Sequence, residues 1–358
     1  MRINRNVYKV LIRIFIVIIA LVALGTAVFL GLQISGRNRL YNMFKGQAPD
    51  LSQAVGVVEG LNPEDYAGPD ASDDNWQEGD VRYKGSVYRY NEDILTFLFL
   101  GIDDKGEVEV KPEGIHGGQS DAIFLLVLNP HNKEVSVIGI NRDTMTDIDV
   151  YSVLGNYLWT EKAQLTLQHA YGDGAKISCE RSREAVSRLF YGLPIHGYCS
   201  INMGAIPLIN DAVGGVEVEI LEDVWKLKEG ETVLLKGDAS YHYLHDRDTK
   251  SFNSAGRRLE RQKQYLTAYA ATAVEAMKGD ITLPVKLYGT LSKYMVTDVT
   301  VDEVSYLATR ISDYSFSSER FYSLAGETVQ GGILEQFWVD ETALYELILE
   351  VFYEEVTG

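Results

Sequence analysis

The stretch SDAIFLLVLNPHNKEVSVIGINRDT, residues 120–144, holds two apolar runs separated by one turn, and its reading decides the fold. Ala122 to Leu128 and Val135 to Ile140 have the length and continuity of buried strands. Asn129-Pro130-His131-Asn132 between them has turn chemistry and is short enough for a hairpin. Upstream, Ile94 to Ile102 is apolar except for Thr96 and Gly101, a third strand of the same kind. These three form the centre of a sheet.

Outward from that centre, helical and extended periods alternate. Ala163 to Tyr171, Cys179 to Tyr191 and Ala205 to Ala212 read as helices, and Gly197 to Met203 and Val216 to Ile220 as strands. Arg258 to Met277, Val301 to Ser312 and Glu341 to Glu354 are further helical patterns, and Arg320 to Leu324 is a short strand. Such alternation predicts an α/β class: a central, mostly antiparallel or mixed sheet flanked by helices.

The N-terminal side has a different character. No residue from Ile14 to Leu32 is charged, and a helix of that length, rising about 1.5 Å per residue, just crosses a hydrocarbon core of roughly 30 Å. One transmembrane helix at 14–32 is therefore expected ahead of the domain. It exceeds the apolar core of a signal peptide, and no small-x-small cleavage site follows it. Arg2, Arg5, Lys9 and Arg13 precede it, which favours a cytoplasmic tail at 1–13. Residues 33–80 are polar and acidic without a sustained apolar period and read as an extracytoplasmic tether. At Val81 strand-like alternation begins, so 81–358 is expected as one domain.

The chain has 358 residues, 46% of them hydrophobic, with 33 Lys and Arg against 51 Asp and Glu. A net charge of -18 excludes nucleic acid as a partner for the surface as a whole, so any anion site must be a local basic pocket. Cys179 and Cys199 are the only cysteines. One disulfide and two buried thiols are equally compatible with their positions. No P-loop, no dinucleotide-binding glycine fingerprint, no nucleophile elbow and no cysteine-histidine metal motif is present.

Polar residues at strand ends remain. Asp103-Asp104-Lys105 follows the first strand, Gln119-Ser120-Asp121 leads the second, and Asn141-Arg142-Asp143-Thr144 leaves the third. If neighbouring strands alternate in direction, all three ends share one edge, where two carboxylates can hold Mg²⁺ and a guanidinium can grip phosphate oxygens. Acids at strand ends also simply solvate turns, and Arg142 with Asp143 can be a plain ion pair. A second basic group lies in residues 243–248, YLHDRD, and 256–263, GRRLERQK. Arg258 and Arg261 stand three residues apart, on one face near the start of a helix, a position that favours an anion and equally suits a solvated helix face.

In order along the chain, Gly101-Ile102-Asp103, Ser120-Asp121, Arg142-Asp143-Thr144, residues 210–216 (NDAVGGV), Arg247 and Arg258-x-x-Arg261-Gln262 resemble the LytR-CpsA-Psr family over roughly Tyr90 to Leu266. The resemblance implies an extracytoplasmic α-β-α domain on a single-pass membrane anchor, binding a polyprenyl-(pyro)phosphate-linked glycan in an apolar tunnel. It further implies a phosphotransferase that moves teichoic acid, capsule or another glycopolymer to peptidoglycan and releases polyprenyl phosphate. Asp103 and Asp121 match the metal-holding acids, for Mg²⁺ (or Mn²⁺), and Arg142 matches the arginine on the pyrophosphate. Arg247, Arg258, Arg261 and Gln262 match the later phosphate-binding group. Gln119 stands where the family usually has arginine, and so does His245, two residues before Arg247; Lys105 is a candidate to supply charge beside them. Asp103 and Asp121 are further apart than is typical, with Gly114, Gly117 and Gly118 in an inserted loop. A lipid-binding module without turnover and a hydrolase of the same lipid stay open as alternatives.

Overall fold

The computed structural model describes residues 26–66, 68, 75–280, 282–311, 314–332 and 334–356. They fall into two compact units, Met1–Lys45 with Val299–Tyr314, and Gly46–Asp298 with Ser315–Gly358.

In chain order the strands are β1 (Val81–Tyr83), β2 (Ser86–Tyr90), β3 (Leu95–Ile102), β4 (Ser120–Asn129), β5 (Glu134–Ile140), β6 (Met145–Tyr151), β7 (Tyr157–Gln164), β8 (Gly197–Asn202), β9 (Val216–Glu219), β10 (Thr232–Leu235), β11 (Met295–Thr297), β12 (Ser315–Ser323), β13 (Gly326–Gly331), β14 (Leu334–Val339) and β15 (Tyr353–Glu355). The helices are α1 (26–43), α2 (Thr166–Ala170), α3 (Lys176–Leu189), α4 (Ile206–Ala212), α5 (Asp238–His245), α6 (Ser254–Gly279), α7 (Leu283–Leu291), α8 (Val301–Ile311) and α9 (Glu341–Phe352).

A six-stranded mixed sheet, in the order β11-β8-β3-β4-β5-β12, is the frame of the larger unit. β3 pairs antiparallel with β4 and β4 with β5, while β8 and β12 join in parallel outside them. The hairpin read in residues 120–144 is present, with Leu128 opposite Val135. Alternation divides the sheet's side chains between two faces. Leu98, Leu100, Leu125, Val127 and Ile138 are all but inaccessible and enter the main core with Ala185 and Val186 of α3 and Leu344 and Ile348 of α9. Each such side chain contributes roughly 1.5–3 kcal/mol by leaving water. On the opposite face Phe124 packs with Leu259 of α6 and Phe321 of β12. Gly139 lets α6 lie close there, since a Cβ at that position would stand 3.1 Å from the Leu259 side chain.

Three expectations change. Residues 33–80 are no uniform tether: 33–43 continue α1, and Leu51, Ala54, Val58 and Leu61 are buried in the main core. Their 3-4-3 spacing is a helical period hidden in a polar segment, and the Asp50 N–H donates to the Tyr191 carbonyl at 2.7 Å. Residues 81–358 are also not one body, because Val299–Tyr314 belongs to the smaller unit. Within that unit α8 meets α1 at Gly36, where a Cβ would stand 2.1 Å from the Asp302 carbonyl oxygen. Finally, Ala163 and Gln164 end β7, so the helix expected from Ala163 begins only at Thr166. No helix among the described residues is long and apolar enough to cross a membrane. Of the span expected at 14–32, only 26–32 lies inside the described residues, and the tail at 1–13 lies outside.

Cys179 and Cys199 are free thiols, each pushed up to about 12 by burial. The thiolate is the reactive form, so neither should react with a disulfide reagent in the native protein at pH 8, and both should react in denaturant. Titration that finds no thiol after unfolding without reductant would establish a disulfide instead.

Two buried histidines set an acid limit. Burial pulls His169 and His196 down to about 4, and the Thr96 N–H donates to His196 Nδ1 at 3.2 Å, which requires that nitrogen unprotonated. An unfolded histidine titrates near 6.5. Folding therefore weakens proton binding at both rings, and the stability tied to their neutral forms is complete above about pH 6.5 and lost as pH falls toward 4. The urea midpoint should drop steadily across that window; a midpoint constant from pH 7 to pH 4 contradicts the assignment.

Candidate active site

Antiparallel pairing puts the exit of β3, the entry of β4 and the exit of β5 at one edge, with Ile102 opposite Ser120 and Ile123 opposite Ile140. Asp103 and Asp121 directly follow Ile102 and Ser120, Arg142 stands two residues past Ile140, and the three converge through the sheet itself. The inserted loop between β3 and β4 leaves and returns to the same place, since the Asp103 N–H donates to the Gln119 carbonyl at 3.0 Å. Gly117 makes this return possible: a Cβ there would stand 1.9 Å from the His169 carbonyl oxygen.

Asp121 is the hub. It is buried, and its Oδ1 accepts from Arg142 Nη1 while its Oδ2 accepts from Arg258 Nη1 at 2.6 Å. Arg142 donates its other terminal nitrogen to Gln119 Oε1. Its Nε stands 3.3 Å from Asp143 Oδ1, close enough for charge attraction but misaligned, so this buried donor has no hydrogen-bond partner among the described residues. Asp143 in turn accepts from Gln164 Nε2 at 3.0 Å and has the Arg247 guanidinium 4.0 Å away.

Burial, with the neighbouring cations Arg258 and Arg247 adding to it, brings Arg142 down to about 10; burial and Arg247 do the same to Arg258. Both stay charged at neutral pH. Burial raises Asp143 above the usual carboxylate value against the pull of Arg142 and Arg247. Three guanidinium groups are thus packed at a sheet edge with acids as their counterions.

The later basic group divides. α5 ends at His245, leaving its last carbonyls without helical partners. Side chains from the first turns of α6 take them in succession. Arg261 donates to the carbonyls of Tyr243 and Asp246, Gln262 to that of Leu244 at 3.1 Å, and Arg258 to that of His245 at 3.0 Å. Arg261 is fully buried and its Nε stands 3.0 Å from Glu222. Arg261 and Gln262, expected in a phosphate grip, here form a clamp beneath α5. Arg247 lies beyond the clamp, with Nη1 donating to Ser254 Oγ at 3.2 Å.

His245 faces the site. Its Nε2 is 3.0 Å from Asp103 Oδ1, its Nδ1 is 3.0 Å from Asp246 Oδ1, and its ring stacks on Tyr241 with centroids 4.7 Å apart. The Lys105 ammonium rests over the other partner in that stack, 4.6 Å from the Tyr241 centroid. Asp103, Asp121 and His245 each offer one ligand atom, all within 4.8 Å of one another. Two carboxylates and an imidazole suit a divalent cation, and Asp103, with about half its side chain exposed, keeps one side open.

A family model described as the LytR_cpsA_psr family matches residues 67–347. The chain belongs to this family. Among curated LytR_cpsA_psr relatives, the polyisoprenyl-teichoic acid–peptidoglycan teichoic acid transferase TagU of Halalkalibacterium halodurans is 28% identical over 215 residues, covering 59% of this chain and 63% of the relative. The match thus spans less than two thirds of that relative's length. The Enterococcus faecalis TagU is 26% identical over 232 residues, covering 63% of this chain and 68% of its own. The crystal structure of Bacillus subtilis TagV superposes with a TM-score of 0.54 at 22% identity, over 72% of this chain and 95% of that one, which supports the shared fold.

Against the usual LytR_cpsA_psr pattern, both exchanged positions lie inside the cluster. A guanidinium at 119 would repel Arg142, whereas the Gln119 carbonyl accepts from it. Asp143, read from sequence as a possible ion-pair partner of Arg142, also takes part, as do Gln164, Tyr241 and Asp246, which were not singled out as site residues. Asp143 and Asp246 were visible beside the chosen arginine and histidine, but nothing local marks Gln164, which arrives through the β6–β7 hairpin.

Proposed function

We propose that this protein is a membrane-anchored, extracytoplasmic phosphotransferase that moves a glycopolymer from a polyprenyl-pyrophosphate carrier to peptidoglycan and releases polyprenyl phosphate. The observation that carries it is Asp121 held between Arg142 and Arg258 at the sheet edge, beside the open Asp103 and the partly buried cation Arg247. Relatives named as teichoic acid transferases support the substrate class.

Asp103 and Asp121 would hold a Mg²⁺ or Mn²⁺ ion, which when bound supplies positive charge against the pyrophosphate oxygens. Arg142 offers its unpartnered Nε, and Arg247 an accessible fork, to the same oxygens. A peptidoglycan hydroxyl attacks the sugar-bearing phosphorus, and the bond from that phosphorus to the bridging oxygen breaks. The bridging oxygen leaves with the polyprenyl phosphate, and the hydroxyl proton departs on the open side of the cluster, at Asp103. Positioning and charge stabilisation suffice for such a transfer, so no covalent nucleophile is required.

The lipid's path is supported by the sheet face under α6. Phe99 lies in the central strand β3 and is nevertheless 40% exposed, opposite Phe124 and near Ala122. A large apolar side chain left open at the middle of a sheet suits a polyprenyl chain. The uncharged run 14–32, together with Val28, Phe29, Leu30 and Ile34 exposed on α1, supports the anchor.

The test is to incubate the full-length protein with lipid-linked pyrophosphoryl glycan, Mg²⁺ and peptidoglycan and to follow both products. Glycan on peptidoglycan with stoichiometric polyprenyl phosphate is the expected result. Free glycan phosphate in its place would make the protein a hydrolase, and bound lipid without turnover would make it a binding module.

A further inference from the structure

We propose that His245 is a third metal ligand and that, through it, the site favours divalent transition metals, Mn²⁺ among them, over Mg²⁺. The proposal deepens the transferase reading and rests on it in placing a cation at Asp103 and Asp121.

Three independent contacts fix the imidazole for this task. Nε2 is directed at Asp103, 3.0 Å from its Oδ1. Nδ1 is 3.0 Å from Asp246 Oδ1, so with a cation in front of Nε2 that carboxylate would hold the ring proton on Nδ1 and turn the Nε2 lone pair to the cluster. The ring plane is set by the stack on Tyr241, 18° from parallel. A carboxylate behind the ring and a lone pair in front is the arrangement that orients metal-binding histidines. Asp246 is itself steadied, with His242 Nδ1 2.6 Å from its Oδ2.

The remaining ligands are compatible with that role. Each carboxylate oxygen of Asp121 has two lone pairs, so the contacts to Arg142 and Arg258 leave acceptor capacity for a cation. The three ligand atoms lie within 4.8 Å of one another, a separation that a single ion with bonds of about 2.0–2.2 Å can bridge with slight adjustment. A guanidinium at 245 can neither ligate nor sit beside a cation without repulsion. An imidazole does both, and it changes the preference: Mg²⁺ is an oxygen-seeking ion that keeps its waters, whereas nitrogen ligands favour the transition series.

The test is metal binding to the full-length chain, with Mn²⁺ and Mg²⁺ alone as probes. Calorimetric titration should give a Kd for Mn²⁺ at least about tenfold below that for Mg²⁺. His245→Gln should weaken Mn²⁺ binding by about tenfold or more while shifting Mg²⁺ by less than about threefold. Pulsed electron paramagnetic resonance on the bound Mn²⁺ should show nitrogen coupling that disappears in His245→Gln. Saturable Mn²⁺ binding that is abolished by Asp121→Asn but carries no nitrogen coupling overturns the proposal and leaves the transferase reading standing. Nitrogen-coupled Mn²⁺ in a protein that performs no transfer does the reverse. No saturable binding of either ion overturns both the ligand and the metal in the transferase reading.

Discussion

Replacing Arg142 by alanine is expected to lower glycopolymer transfer by at least about a hundredfold, on the scale of losing one preorganised contact to developing charge. Among the described residues Arg142 Nε is a buried donor without a hydrogen-bond partner, and Arg142 shares Asp121 with Arg258. Under the proposed reading its loss removes a phosphate contact, and it also releases one oxygen of the hub. The loss should fall on kcat, because the cation is needed most when the bridging oxygen takes on charge. Arg142→Lys keeps the charge but not the fork, and should recover only part of the rate. Single-turnover assays, read beside the circular dichroism of each variant, decide it. Unchanged turnover in a folded Arg142→Ala protein would remove this arginine from the chemistry.

Arg261→Met is expected to act through stability. Arg261 is fully buried, donates to two carbonyls and lies against Glu222. Removing it leaves those two carbonyls without their donor, at a cost of about 1–3 kcal/mol each, while the partly exposed Glu222 keeps Arg257 at 2.8 Å. Denaturant titration should show that loss directly, while lipid affinity per folded molecule stays within a few fold. A variant of parental stability with weakened pyrophosphate binding would return Arg261 to the phosphate grip read from its spacing.

These two arginines show how far the sequence could be read. Arg142 was legible because it follows an apolar strand whose direction is forced by a four-residue turn. Once β3, β4 and β5 alternate, the position of the residue after each strand is determined. Arg258 and Arg261 share a helix face as their spacing requires, but spacing cannot tell which side of that face is covered. α5 covers Arg261, and α5 was missing from the sequence reading because residues 238–245 carry polar and aromatic residues without a clear apolar stripe. The buried segment around Leu51 and Leu61 was missed for a related reason. Four apolar residues at helical spacing were outweighed by the acidic residues around them, although it is burial of the four that decides whether the segment packs.

On the α5 side, the hydrogen bonds of the clamp go to main-chain oxygens. Arg258, Arg261 and Gln262 hold the carbonyls of residues 243 to 246; Arg261 also lies over the Tyr243 ring, 5.5 Å from its centroid, whereas Arg258 holds residue 245 by its carbonyl. Every amino acid offers the same carbonyl, so at residue 245 the fastening is blind to side-chain identity. Position 245 can therefore exchange one chemistry for another while the bond from Arg258 to its carbonyl is kept. The end of α5 works as an interchangeable tool mount, on which guanidinium or imidazole can be fitted without rebuilding what carries it.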